Sequence, residues 1–273
     1  MIRKTLLFRN LVDNVAKNLG LYSVGVLLLI LQRVTFEVAL IVLGMVAFII
    51  VYSSVYILND FFDAEEDATD REKTKRKPLA RGSVGKTEAM GIYLAFLILG
   101  LLLSACLGTL FLVVVASLLL VNLIYSAPLF ASERTGPIRQ KQTLMAWPLI
   151  LTMQFLKMVL PWTTTAQLVR FPFLFAFGFS LLYVILFKGY KENQTVGESI
   201  TNKPLHAMVV VAIFLSSLLL HPEPFLQMLI LLYLLVGIAI FRSSSIISKR
   251  VLRLAPFYII FGVAILLIAM TYI

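Results

Sequence analysis

Apolar residues run through this chain in blocks of about twenty, separated by short polar pieces, without the alternation or one-sided periodicity of water-soluble strands and helices. A helix needs about 20 predominantly apolar residues to cross a bilayer core. On that rule the sequence predicts nine helices, over residues 19–36, 37–58, 88–107, 109–126, 143–161, 171–189, 205–221, 224–241 and 254–273. The first two are parted only around Arg33 and Glu37, and the seventh and eighth only by His221, Pro222, Glu223 and Pro224, so these boundaries are the softest. The expected class is all-α, a polytopic membrane protein. Arg3 and Lys4 precede the first apolar run, but no small-residue cleavage site follows it, which predicts a retained helix and not a removed signal peptide.

Placement of the basic residues gives an orientation, because cytoplasmic segments retain an excess of Lys and Arg. With the N-terminus inside, 21 of the 24 basic residues fall on the cytoplasmic side, leaving only Arg33, Lys157 and Arg170 on the other. A miscounted helix would scramble that partition. An integral protein of a bacterial or archaeal cell membrane is expected, with its polar working face in the cytoplasm. No Pro- or Ser-rich linker, low-complexity tract or fixed repeat divides the chain, so residues 1–273 are expected to form one transmembrane domain. Its longest polar stretch, about 59–87, is expected as a structured cytoplasmic loop.

Composition narrows the chemistry. The chain is 60% hydrophobic and 14% charged, with a mean hydropathy of +0.95. A single cysteine, Cys106, excludes an internal disulfide and multi-cysteine metal centres, and two histidines leave little for a His-based site, so a metal must rest on oxygen ligands. The formal charge is +10, but the basic residues lie in short pieces between apolar runs. That placement points to membrane lipid or a phosphorylated substrate and not to nucleic acid.

Acidic residues are concentrated in one place. Four of the five aspartates, Asp60, Asp63, Asp67 and Asp70, fall within eleven residues, and with Glu65, Glu66 and Glu72 they make seven of the fourteen acids. If the second helix continues past Asn59, spacings of three and four place Asp60, Asp63 and Asp67 on one face, with Tyr56 one turn earlier. Carboxylates so arranged repel one another unless a cation neutralises them. Mg²⁺ fits, since it takes oxygen ligands and commonly binds through one or two carboxylates plus substrate phosphates. The plainer reading is a solvated acidic segment that balances the basic residues following it. Those residues are Lys73, Lys75, Arg76, Lys77, Arg81 and Lys86. Arg76, Lys77 and Arg81, braced by Pro78 and Gly82, are candidates for phosphate oxygens, by forked hydrogen bonds or as point charges. Lys73, Lys75 and Lys86 are expected to be topogenic charge.

Asn59, Asp60, Asp63 and Asp67 form N-D-x-x-D-x-x-x-D at the end of the second helix, before a basic loop containing proline and glycine. In this the chain resembles the UbiA-type intramembrane prenyltransferase superfamily, and Tyr125 and Ser126 near the end of the fourth helix are similar to it as well. The resemblance implies a helical bundle around a lipid-open cavity, with Mg²⁺ held by two acidic motifs against a diphosphate leaving group. The second motif departs from the pattern, because no aspartate follows Asp70. The corresponding region reads Lys188, Gly189, Tyr190, Lys191, Glu192 and Asn193. This looks more like the polyprenyl-phosphate (decaprenyl-phosphate) phosphoribosyltransferase branch, which has Lys-Arg-Tyr-x-Glu there, with Gly189 in place of the arginine. Lys17 and Asn18 match that branch's Lys-Asn, although Val15 stands where an aromatic precedes it.

The expected activity is Mg²⁺-dependent transfer of a 5-phosphoribosyl group from phosphoribosyl diphosphate to a polyprenyl phosphate within the membrane. Asp60, Asp63 and Asp67 are the expected metal ligands and catalytic residues. Substrate contacts are expected from Lys17, Asn18, Tyr56, Asn59, Arg76, Lys77, Arg81, Lys188, Tyr190, Lys191 and Glu192. A donor with a 5-phosphate beside its diphosphate needs more positive charge and can work with fewer carboxylates. Lys17, Lys188 and Lys191 are also read as interfacial anchors of helix ends. Two alternatives stand. One is prenyl transfer from a polyprenyl diphosphate to an aromatic, glycerol-phosphate or other lipid acceptor; the other is a secondary transporter whose aspartates bind a coupling cation. Lys157, deep in an apolar run beside Gln154, is either functional or reaches the far surface.

Overall fold

The computed structural model describes residues 18–126, 146–181 and 184. Every regular element among them is helical. In chain order these are α1 (Asn18–Leu31), α2 (Val38–Thr69), α3 (Arg71–Arg76), α4 (Lys86–Cys106), α5 (Thr109–Ser126) and α6 (Ala146–Val159). Two 3₁₀ turns, Leu160–Thr164 and Leu168–Arg170, lead to α7 over residues 173–181. Each of the first six expected spans thus meets a helix. The expected spans at 205–221, 224–241 and 254–273 lie outside the described residues.

The second helix does continue past the end of the span expected over 37–58. Asn59–Thr69 contains neither glycine nor proline, and α2 continues through it for 32 residues. At 1.5 Å per residue that is about 48 Å, well beyond a bilayer core of ~30 Å. The apolar part to Leu58 spans, and the acidic part projects past it. The first third of the expected loop at 59–87 is therefore helix. The chain turns at Asp70, whose backbone is extended. Its carboxylate accepts from the Lys73 amide at 3.2 Å, which caps α3.

The described residues fall into two compact units, one comprising Glu37–Leu149 with the start of α1, the other Gly20–Phe36 with the chain from Ile150 onward. In the first unit α2 packs along α4. Contact is made through small residues: a Cβ on Gly100 would collide with Val51, and Ser104, also buried, donates to the Gly100 carbonyl at 2.7 Å. Each of these helices also carries an aliphatic stripe that faces outward, with Val38, Val42 and Val46 on α2 and Leu94, Ile98 and Leu102 on α4 exposed at four-residue spacing. Small residues at the closest approach and aliphatic stripes outside are the arrangement lipid favours. α2, α4 and α5 are each long and apolar enough to span.

In the second unit Trp162, fully buried, donates from its indole nitrogen to the Gly25 carbonyl of α1 at 2.9 Å. Gly25 has no room for a Cβ against Met158 and Pro161, so α1 and the end of α6 meet backbone to backbone there. Phe155 and Trp162 both meet Phe171 edge-on. Lys157 is 2% exposed and donates to Gln154 at 2.9 Å within α6, so it does not reach the surface.

Candidate functional site

The acidic end of α2 is held in place by a small core. Ile57 and Ala64 on α2, Leu79 and Val84 from the turn after α3, and Ala89 on α4 pack together, with Tyr56, Phe61 and Tyr93 against them. Thr74 donates to the Asp70 carbonyl at 2.7 Å, and the Arg81 amide closes on the Lys77 carbonyl at 3.1 Å. Ser83 returns to the Pro78 carbonyl through both its amide and its hydroxyl. Gly82 takes φ +69°, a left-handed conformation that costs a side-chain-bearing residue about 1–2 kcal/mol. These contacts fold the basic segment back over the aspartates.

Lys77 is the residue so delivered. Its ammonium lies 2.9 Å from Asp60, 3.8 Å from Asp63 and 2.6 Å from Asp67. The three aspartates therefore do share one face, as their spacing predicts. Asp67 is 2% exposed and is also engaged by Lys73 at 2.8 Å, so both of its oxygens are taken by ammonium groups. Burial pushes the Asp67 carboxyl up, but the two lysines outweigh it and hold the group below the usual carboxylate range. Burial likewise pushes Lys77 down, and Asp60 and Asp67 more than reverse this, leaving it above the ordinary lysine value. Both partners are charged at neutral pH.

One turn before Asp60, Tyr56 accepts a hydrogen bond from the Asn18 amide, bringing together two residues singled out from sequence. Tyr56 also meets Tyr52 edge-on, and Tyr52 meets Phe48, so an aromatic ladder leads along α2 to the acidic turn. The Asn59 side-chain oxygen is buried with no hydrogen-bond partner. An orphaned acceptor is costly unless a ligand uses it.

Among the described residues no three His, Cys, Asp or Glu side chains stand close enough to cage a metal. A lysine ammonium occupies the centre of the aspartate triad instead. All three carboxylates lie within 4 Å of one ammonium, and the buried Asn59 oxygen, four residues before Asp63, has no partner, so the donor set suits positive charge. Asp60 and Asp63, with Asn59 nearby, fit a hard divalent ion whose remaining ligands are water and phosphate.

Other site residues predicted from sequence are placed less centrally. Arg81 is exposed on the turn, and Arg76 ends α3 with its side chain outside the described residues. Lys17, Lys188, Tyr190, Lys191 and Glu192 also lie outside them. Lys73, for which topogenic charge was the larger expectation, also contacts Asp67 at 2.8 Å. The two lie six positions apart across a helix break, a spacing that no helical periodicity flags. Lys86 pairs with Glu65 at 2.7 Å on the surface, where such pairs contribute little. Ser126, buried at the end of α5, donates to Asn122 at 3.3 Å.

The model of the UbiA prenyltransferase family matches residues 19–273. No curated protein matches the sequence. A UbiA homologue from Archaeoglobus fulgidus bound to GPP and Mg²⁺ superposes with a TM-score of 0.66 at 18% identity, over 95% of this chain and 99% of that one. The same homologue bound to DMAPP and Mg²⁺ gives 0.66 at 18% identity, over 95% and 98%. A digeranylgeranylglyceryl phosphate synthase structure gives 0.58 at 16% identity, over 98% and 97%. At these identities the likeness establishes the fold.

Proposed function

The chain belongs to the UbiA prenyltransferase family, and on that footing we propose that it is a Mg²⁺-dependent transferase moving a 5-phosphoribosyl group from phosphoribosyl diphosphate to a polyprenyl phosphate. Membership makes it an integral membrane enzyme of the prenyltransferase type. The observation that carries the finer reading is the charge of the candidate site. A single acidic motif is threaded by Lys77 and Lys73, and no aspartate follows Asp70 to build a second one. Such a site offers few carboxylates and many cations, which matches a donor carrying a 5-phosphate as well as a diphosphate.

Asp60 and Asp63 would hold the metal, with Asn59 supplying a neutral oxygen and Asp67 fixing the two lysines. Mg²⁺, when bound, neutralises charge on the departing diphosphate. Lys77 and Lys73 present ammonium groups to oxygens on which charge builds as the bond to the sugar C1 breaks. The lipid phosphate is already an anion, so its attack needs no strong general base. Tyr56, held by Asn18, stands one turn deeper, where it can orient the donor. The apolar helices would carry the isoprenoid tail and limit water as a competing nucleophile.

A second reading, prenyl transfer from a polyprenyl diphosphate to a lipid acceptor, is favoured by the GPP and DMAPP found in the Archaeoglobus homologue. Purified protein given Mg²⁺, polyprenyl phosphate and phosphoribosyl diphosphate labelled in the ribose separates the two. Lipid-linked label is expected. Its absence, with transfer from a labelled prenyl diphosphate in its place, replaces the first reading by the second.

A further inference from the structure

Resting on the reading that Asp60 and Asp63 receive the metal, we propose that Lys77 is a built-in counter-ion that competes with it: ammonium and divalent ion claim the same carboxylate oxygens, and the diphosphate draws the lysine away. The ammonium stands within 4 Å of all three aspartates and within hydrogen-bond distance of Asp60 and Asp67. A divalent ion approaches such oxygens to about 2.1 Å. It cannot do so while an ammonium sits among them, because two cations at that spacing repel strongly in a partly buried setting.

Lys77 is built to leave without unfolding the loop. Its backbone is anchored on both sides, by the Lys77 amide to the Lys73 carbonyl at 2.8 Å and by Leu79 in the core under α2. Its side chain is 26% exposed, so the ammonium has solvent to swing through. Diphosphate oxygens arriving with the metal from that open side would give the displaced charge a new partner. Lys73 cannot take the same role, since it engages only Asp67 of the triad.

Metal and diphosphate then bind cooperatively. Metal alone must displace Lys77 into water, whereas metal with diphosphate moves it onto phosphate, and the coupling acts equally in both directions. A site arranged in this way stays neutralised, and α2 stays helical, between turnovers.

The test is Mn²⁺ binding to the full chain in lipid nanodiscs, read from the spectrum of free Mn²⁺, with and without methylenediphosphonate. Lys77→Met is expected to bind Mn²⁺ alone roughly tenfold more tightly than wild type, as loss of a neighbouring positive charge requires. Lys77→Arg, which keeps the charge, is expected to stay near wild type, and Lys73→Met to gain less than about threefold. Methylenediphosphonate should tighten Mn²⁺ binding more in wild type than in Lys77→Met. Equal Mn²⁺ affinity in Lys77→Met and wild type, or an equal gain in Lys73→Met, overturns the counter-ion role. Asp63→Asn added to Lys77→Met separates the two layers. If it leaves Mn²⁺ affinity unchanged, the metal site itself is misplaced. If it weakens Mn²⁺ while Lys77→Met matches wild type, only the competition fails.

Discussion

Asp67 holds two ammonium groups in a buried position, whereas Asp60 and Asp63 share one of them at the more open end of the triad. The three aspartates therefore have different work to do. Asp63→Asn and Asp60→Asn should leave the fold intact and lower transfer about 100-fold or more, the scale of losing a charged group that stabilises a leaving group. Rates measured over a Mg²⁺ series should show the loss only partly recovered at high metal. Asp67→Asn should instead lower thermal stability, because it leaves Lys77 half-buried against fewer charges. The sign of its pH dependence follows from the carboxyl being held below its ordinary value of 3.8 and Lys77 above 10.5. The stabilisation is complete above the first, falls away as acid titrates the carboxylate through its lower folded value, and is lost in alkali only as pH rises past the raised lysine. The difference in melting temperature between wild type and Asp67→Asn should therefore stay constant from about pH 5 to 9. A difference that changes steadily across that window would mean that Asp67 is not the paired group.

At the scale of elements, the site exists because α2 does not stop where the lipid does. Its acidic end is helical, and a turn closed by Gly82 brings the basic segment back onto it. Gly82→Val should strain that turn by about 1–2 kcal/mol and loosen Lys77. The expected readout is faster proteolysis after Lys77 with little change in helical content. Gly100→Leu should act on the packing of α2 against α4, where Val51 leaves no room, and overfilling of this kind costs about 1–3 kcal/mol. A lower unfolding midpoint in detergent measures it. Much of this was legible in the sequence. The apolar blocks located the first six helices, and the spacing of Asp60, Asp63 and Asp67 gave their common face. What the sequence withheld were contacts between segments. Lys73 looked like any flanking charge, and the span over 37–58 left open how far α2 runs, because hydropathy marks where lipid stops, not where a helix does. Gly100 carried no mark of its close contact, since only a neighbouring helix makes a glycine necessary.

At the scale of the whole molecule, the distribution of Lys and Arg predicts a single side of the membrane for this chemistry. If the N-terminus is cytoplasmic, as the distribution of Lys and Arg predicts, alternation of the spans puts the acidic turn and the basic loop inside and the end of α4 outside. Cys106, the sole cysteine, is exposed at that end. A membrane-impermeant maleimide should label it in intact cells, while Ser83→Cys in a Cys106→Ser background should be labelled only after the membrane is opened. The reverse pattern would turn the protein over. Family membership and fold set the frame, and what is transferred has to be argued from the site. The most direct measurement is an anomalous difference map of the protein with Mn²⁺ and a donor diphosphate. The account predicts a peak at coordination distance from Asp60 and Asp63, with the Lys77 ammonium moved onto phosphate. A metal–diphosphate pair bound elsewhere, with Lys77 still seated among the three aspartates, would contradict it.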